Sequence, residues 1–524
     1  MYQQLEQRLS LIVQSGQQAR LKESRMGLEK ESLRVADSGS IAQTPHPAAL
    51  GSALTNPYIT TDFSEALTEM ITPPCDSVEA TLAFLADIEK FVGQNIHDEL
   101  MWASSMPCVV EGGDSIPVAD YGNSNIGKMK KIYRRGLGYR YGRTMQVIAG
   151  VHFNHSYSDN FWQLLQSLEA SSENLKDYKS RRQMEQVRNV LRTGWLIPYL
   201  FGASPAVCKS FLHGKPTMLS SFSPGTAYEE YATSLRMGNI GYTNSKESMA
   251  GIKANYDTLE AYVASLACAI RTPFSEYERI GVQIEGEYRQ LNANILQIEN
   301  EYYSTVRPKQ VPHNGEMPIH ALRERGIEYI ELRSLDINPF EPLGISAQQM
   351  YFLEIFMLYC LLQDSPVLSA DEIDAIDMNF IEVAHNGRAP GAELYRDDVT
   401  INLKTWAQGL CDAMQGVAAL LDDVHANRNY SSSLEAQRAC VLDAALTPSA
   451  RVLQEMREQG EEYFHFARRK ALEHQAYFSS QALSDERNRF FMKLAKDSLD
   501  KQKQIEAADT LPFDEFLKHY YAQS

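Results

Sequence analysis

With 524 residues, 44% of them apolar and 22% charged, the chain has several times the length a hydrophobic core needs and should fold without covalent staples. A formal net charge of −17 repels a polyphosphate backbone or an anionic membrane over most of the surface. Nucleic acid is therefore not an expected partner, although a local basic patch could hold a nucleotide.

Residues 1–20 carry Leu5, Leu9, Ile12 and Val13 at amphipathic-helix spacing. The next segment, 27–33, reads as a strand in which Glu29 and Glu31 share a face, about 7 Å apart by strand rise. Two anions that close call for a cation between them. Glu69 lies inside another strand-like run, 66–73, shortly after Asp62 and Glu65, so more carboxylates crowd one region. A helix is predicted over 84–98.

Residues 122–128 nearly match a phosphate-binding loop, but Met129 stands where Ser or Thr is required and no buried strand precedes it, so the match is read as coincidence. The run that follows, Lys128 to Arg143, is basic with interleaved tyrosines: a solvated face by default, or a cradle for phosphates. In 146–154, Gln146, His152 and Asn154 occupy one parity and Val147, Ala149, Val151 and Phe153 the other. Residues 159–200 read as helical. Strand readings follow at 296–303, where Gln297, Glu299, Glu301 and Tyr303 share a parity, and at 326–333, where Glu331 and Arg333 share a face away from Ile330 and Leu332.

A core-facing helix is predicted over 345–362. Its apolar stretch is too short to span a bilayer and contains Glu354, and no signal segment precedes the first helix, so the protein reads as cytoplasmic with no membrane partner. From about 366 onward the pattern becomes helical, at 404–424, 434–444, 448–475 and 483–507, which suggests an all-helical extension. The expected organisation is a catalytic region, 1–365, with a helical extension, 366–524, packed on it. The seven cysteines are odd in number, scattered and without a Cys-x-x-Cys pair, so they are expected to be reduced and structural.

Solvated strand faces favour Thr, Lys and Ser, whereas these carry Glu, His, Gln and Arg. A shared metal site follows as the expectation. Mostly carboxylate donors with one imidazole and no thiolate suit magnesium, or manganese, better than zinc.

Several stretches resemble the gamma-proteobacterial glutamate-cysteine ligases: 27–35 (GLEKESLRV), 59–67 (ITTDFSEAL), 198–206 (PYLFGASPA), 231–236 (YATSLR), 296–301 (LQIENE) and 327–340 (IEYIELRSLDINPF). The likeness is strong over about 20–365, fades afterwards and returns at 506–510 (EAADT). It implies an α+β fold similar to the catalytic part of glutamine synthetase: an antiparallel sheet curled into a funnel, metals on its inner face, helices outside. It also implies ATP-dependent joining of the glutamate γ-carboxyl to the cysteine amine through a γ-glutamyl phosphate. The alternative is a related ligase that joins glutamate to another amine.

By that resemblance Glu29, Glu31, Asp62, Glu69, His152 and Glu331 would be metal ligands. Arg236 and Arg333 would grip the glutamate and the transferring phosphoryl group, and Arg134 would contact the nucleotide. Phe63, Tyr133, Leu137, Gln146, Tyr242 and Tyr303 would line the cysteine pocket. Magnesium, ATP, glutamate and cysteine are thus the implied cofactor and substrates, with glutathione as feedback inhibitor and a monomer as the working state. Lys30 replaces an Arg common in that family, on the parity away from Glu29 and Glu31. Loops 215–230 and 240–255 are candidate covers, and no base for the cysteine amine is assigned.

Overall fold

The computed structural model describes residues 3–96, 98–213, 217–241, 253–397 and 399–524. Its main sheet is antiparallel throughout, built from β1 (Arg25–Val35), β2 (Ile59–Thr61), β3 (Leu67–Ile71), β4 (Leu100–Met101), β5 (Val151–Ser156), β6 (Val306–Lys309) and β7 (Tyr329–Leu335). The strand order is β6-β7-β5-β1-β3-β2, with β4 paired to the end of β1.

Register sorts the side chains. Leu28, Phe153, Leu332 and Val306 stand opposite one another across four strands, each fully buried. One residue along, Glu29 faces His152, Glu31 faces Glu69, and Glu331 faces both Asn154 and Arg307. Because successive side chains alternate faces, one face of the sheet is core and the other is chemical. The register shifts between Leu332 and Leu335 of β7, so an extra residue falls in the Arg333–Ser334 segment and bends the strand there.

Helices cover the core face. Val78–Asn95 packs on β1 and β3, and Ala347–Leu362 packs against Leu175–Thr193, Leu403–His425 and Asn429–Leu442. Past its first two residues the Ala347–Leu362 helix is apolar on every face apart from Gln349 and Glu354, and it is buried throughout, from Gln349 to Leu362, as such a helix must be. It starts at a capping box formed by Ser346 and Gln349.

Several predicted elements differ in detail. Residues 159–200 form three helices, Asp159–Leu168, Leu175–Thr193 and Leu196–Phe201, the second starting at the Asn174 cap and ending at Gly194. The 448–475 stretch breaks at Gly460, which takes a left-handed conformation at the end of Pro448–Gln459 before Tyr463–Ser479 begins. The C-terminal region is not wholly helical, because Glu393–Arg396 and Val399–Asn402 pair as a hairpin. Residues 296–303 are not a strand: Glu301 Oε2 accepts a hydrogen bond from the Gln297 amide at 2.7 Å, and this local bond curls the segment into a short 3-10 turn, Glu299–Glu301. Gln146 likewise sits in a 3-10 turn just before β5.

The expectation of seven reduced cysteines is also corrected. Cys108 and Cys208 form a disulfide across a Cα–Cα distance of 5.2 Å, and the other five are free. Their 100-residue separation hides the pairing from any local reading. No helix among the described residues is long and apolar enough to cross a membrane.

Candidate active site

The chemical face of the sheet forms one wall of a cavity of about 560 Å³. Glu29 and Glu31 from β1, Glu69 from β3, His152 from β5, and Glu331 and Arg333 from β7 all reach it, with Asp62 and Phe63 from the β2–β3 turn. The opposite wall is the helix Asn125–Tyr141, which presents Tyr133, Arg134 and Leu137. Gln146, Arg236 and Tyr303 complete the predicted set in this cavity. Tyr242 and most of the 240–255 loop lie outside the described residues. Among the described residues of 215–230 none lines the cavity; Thr226–Tyr228 instead pairs with Ala206–Cys208 and Ser220–Ser221 in a small separate sheet.

At the centre, His152 Nδ1 lies 3.2 Å from Glu29 Oε2 and 3.7 Å from Glu331 Oε1, and its Nε2 lies 3.8 Å from Glu31 Oε1. Glu29, His152 and Glu331 can each turn one donor atom into a group no wider than 4.8 Å. Asn154 Nδ2 donates to Glu29 Oε1 at 2.8 Å and the Gly150 amide donates to Glu31 Oε2 at 2.8 Å, fixing both carboxylates. His152 Nε2 is buried without a hydrogen-bond partner among the described residues, a cost that a ligand or ion would remove. Oxygen-rich donors with one imidazole and no thiolate fit a hard divalent cation.

Charge divides the cavity. Burial raises the Glu69 carboxyl well above its ordinary range, and Glu29, Asp62 and Glu31 add to that rise; burial also raises Glu31. Burial pushes Glu331 the same way, but Lys309, Arg333 and His152 overcome it and hold this carboxyl well below the usual range. Arg333 Nη1 sits 3.1 Å from Glu331 Oε1, and Lys309 Nζ 3.5 Å from Glu331 Oε2. Arg236 is 2% exposed and donates from Nη2 to the Arg333 carbonyl at 3.0 Å. Gly150 makes room for it, since a Cβ there would fall 2.1 Å from Arg236 Nη2. Arg134 lies 3.7 Å from Asp62.

The basic run therefore divides by helical face. Lys130, Arg134 and Leu137 line the cavity, whereas Lys131 and Arg135 face outward to Asp120 and Glu287; Arg140, in the last turn, forms a fully buried pair with Glu301 at 2.8 Å. The near phosphate-loop match at 122–128 is a helix start, with Ser124 Oγ accepting from the Gly127 amide at 3.2 Å.

A sequence model of the glutamate-cysteine ligase family matches residues 9–383. The chain belongs to the glutamate-cysteine ligase family. The glutamate–cysteine ligase of Alcanivorax borkumensis is 46% identical over 522 residues, 99% of each chain. That of Pseudomonas aeruginosa is 46% identical over 518 residues, covering 99% of this chain and 98% of the relative. Among solved structures, glutamate–cysteine ligase from Francisella tularensis in complex with AMP superposes with a TM-score of 0.89 at 37% identity, covering 95% of this chain and 98% of the other. A bifunctional glutathione synthetase from Pasteurella multocida shares the fold, with a TM-score of 0.73 at 24% identity over 93% of this chain and 58% of the larger one.

In this member of the ligase family the sequence reading missed Arg307 and Lys309, which enter the cavity from β6, and Tyr520 from the last helix. Alternation in Val306-Arg307-Pro308-Lys309 carries the signal for the first two. Nothing local flags Tyr520.

Proposed function

We infer that the chain is an ATP- and magnesium-dependent ligase that joins the glutamate γ-carboxyl to the cysteine α-amine, giving γ-glutamylcysteine for glutathione synthesis. The observation that carries this reading is the Glu29–His152–Glu331 group with Arg333 against it, in one cavity of about 560 Å³ that Arg134 and Arg236 also line.

A carboxylate is a poor electrophile and oxide a poor leaving group, so the γ-carboxylate first takes the γ-phosphoryl group of ATP. Glu29, Glu31, Asp62, Glu69, His152 and Glu331 would hold the magnesium, which when bound neutralises phosphate oxygens brought against another anion. Arg333 is positioned to stabilise charge on the transferring phosphoryl group, with Arg307 and Lys309 on the same wall. Arg236, held by Asp336 at 3.8 Å, suits a glutamate carboxylate, and Arg134 a nucleotide phosphate. Phe63, Tyr133, Leu137, Gln146 and Tyr303 form a niche suited to a small thiol-bearing amino acid. The amine of that acid attacks the acyl phosphate and releases phosphate, and the cavity walls limit hydrolysis by water.

We extend the reading to a cytoplasmic monomer with a catalytic region at 1–365 and a packed extension at 366–524, inhibited by glutathione, whose γ-glutamylcysteine portion repeats the product. The test is phosphate release with ATP, magnesium and glutamate while the amine is varied. Cysteine should give the best turnover, and a better amine of another kind would overturn the assignment. Glu29→Gln should abolish turnover and weaken the thermal shift produced by magnesium or manganese while the chain stays folded; full activity in that variant would remove Glu29 from the site.

A further inference from the structure

The motif at 506–510 is unused by the chemistry above, and the family match stops at 383, yet the end of the chain returns to the cavity. Glu506 Oε1 accepts from the Asn123 amide at 2.8 Å, and Asp509 accepts from the Asn125 amide at the start of the Asn125–Tyr141 helix. Asn125 Nδ2 donates to the Leu511 carbonyl at 2.9 Å. Contact is so close that a Cβ on Gly122 would fall 2.1 Å from Gln502 Nε2.

The last helix, Phe513–Tyr521, then crosses to a second wall. Tyr521 OH donates to the Gln297 carbonyl at 2.8 Å and accepts from Asn292 Nδ2 at 2.9 Å. Gln297 is itself a junction: its Nε2 donates to the Tyr133 carbonyl at 3.2 Å, its Oε1 accepts from the Leu291 amide at 3.0 Å, and its amide donates to Glu301. Beyond the helix, Gln523 Oε1 accepts from the Met317 amide at 3.0 Å and Nε2 donates to the Gly315 carbonyl at 3.0 Å, tying down a third wall, 312–318. Tyr520, 5% exposed, lines the cavity between them.

We propose that residues 506–524 form a strap that holds three cavity walls, the 125–141 helix, the 290–303 loop and the 312–318 loop, in register, with Tyr521 as its positioning residue. The walls it braces carry Tyr133, Leu137 and Tyr303, while Arg134 on the same helix is tied separately to Asp62 at 3.7 Å, so the strap's effect falls on the amine acceptor; the carboxylate group on β1, β5 and β7 stands on the sheet and is held by other contacts. This assignment of the substrate rests on the function inferred above; the strap itself rests on the hydrogen bonds.

Tyr521→Phe removes one hydroxyl that serves two partners and leaves the ring in place. It should raise the KM for cysteine about three- to tenfold, the scale of one or two hydrogen bonds, with kcat, the KM for ATP and the melting temperature nearly unchanged. Lys518→Ala, on the exposed side of the same helix, should change none of them. Hydrogen exchange should show faster exchange of 125–141 and 290–303 in Tyr521→Phe, and faster still, with 312–318 added, in a chain ending at 511. Unchanged exchange in these segments overturns the strap, whether or not the truncated chain is stable. Faster exchange with an unchanged cysteine KM, or with equal losses toward all substrates, overturns its role toward the acceptor. If the wild-type chain releases no cysteine-dependent phosphate, the functional reading fails, and exchange alone decides the strap.

Discussion

Lys30 stands between Glu29 and Glu31 on β1 but faces the core, where Nζ pairs with Glu89 Oε1 with side chains 5% and 3% exposed and also reaches the Pro342 carbonyl at 3.4 Å. Replacing it by Met leaves Glu89 buried and unpaired. Breaking such a pair on one side costs about 3–5 kcal/mol. A cavity of about 440 Å³ lined by Lys30, Glu89, Trp102 and His474 borders the pair. Water entering it would partly solvate the abandoned carboxylate, which sets the expectation near the lower figure, about 3 kcal/mol. Lys30→Met with Glu89→Leu removes both charges and should recover most of the loss, to within about 1 kcal/mol of wild type. Urea unfolding of the four members of the cycle measures both values. Because Lys30 points away from the chemical face, the KM values for ATP and glutamate should stay within about twofold while the chain is folded. A large KM change with stability intact, or a single variant as stable as wild type, would refute the assignment of faces on β1.

Three further outcomes follow from the same geometry. Burial pushes the Glu354 carboxyl, which accepts from Tyr430 OH at 3.2 Å, up to about 8 from an ordinary 4.5. Between those values the unfolded chain holds fewer protons than the folded one, so stability should fall as pH rises, by up to about 1.4 kcal/mol per pH unit, and level off above the folded value. Glu354→Gln should flatten that slope in urea titrations at stepped pH. For the disulfide, thiol titration of the unfolded, unreduced chain should find five thiols, seven less the bonded two. Cys208→Ser should lower stability by about 2–4 kcal/mol for so long a loop; seven thiols would remove the bond. Finally, Arg333→Lys keeps the charge beside Glu331 but loses the planar fork. It should lower kcat at least about tenfold with a smaller change in KM, and steady-state kinetics showing the reverse would place Arg333 in binding rather than transfer.

Much of this site was legible because strand parity is a rule of backbone geometry. Once β1, β5 and β7 are placed, Glu29, His152, Glu331 and Arg333 must share a side, and cross-strand register does the rest. The rule misled at 296–303, where polar residues at alternate positions serve a local turn: Glu301 accepts from Gln297 four residues back, and period-two polarity does not separate that from a strand. In the basic run the helical period does distinguish Lys130 and Arg134 from Lys131 and Arg135, but only when the run is read as a helix. The Cys108–Cys208 pair and the docking of the last helix through Tyr521 depend on contacts made across 100 residues and more, for which no local pattern exists.

The central strand shows why composition could point to a site without separating function from structure. β1 carries charges on both faces. On the core face each has a partner within the fold, Lys30 with Glu89 and Arg34 with Glu99 at 2.6 Å, and such pairs hold a strand in place with little net gain in stability. On the other face Glu29 and Glu31 meet His152 and further carboxylates, an arrangement the fold leaves unbalanced: burial, with Glu29, Asp62 and Glu31 adding to it, raises the Glu69 carboxyl, and His152 Nε2 finds no hydrogen-bond partner among the described residues. A fold keeps such a deficit only where something outside the chain makes it up. The identity of the partner, more than the presence of charge, marks the face of β1 on which ligands are to be sought.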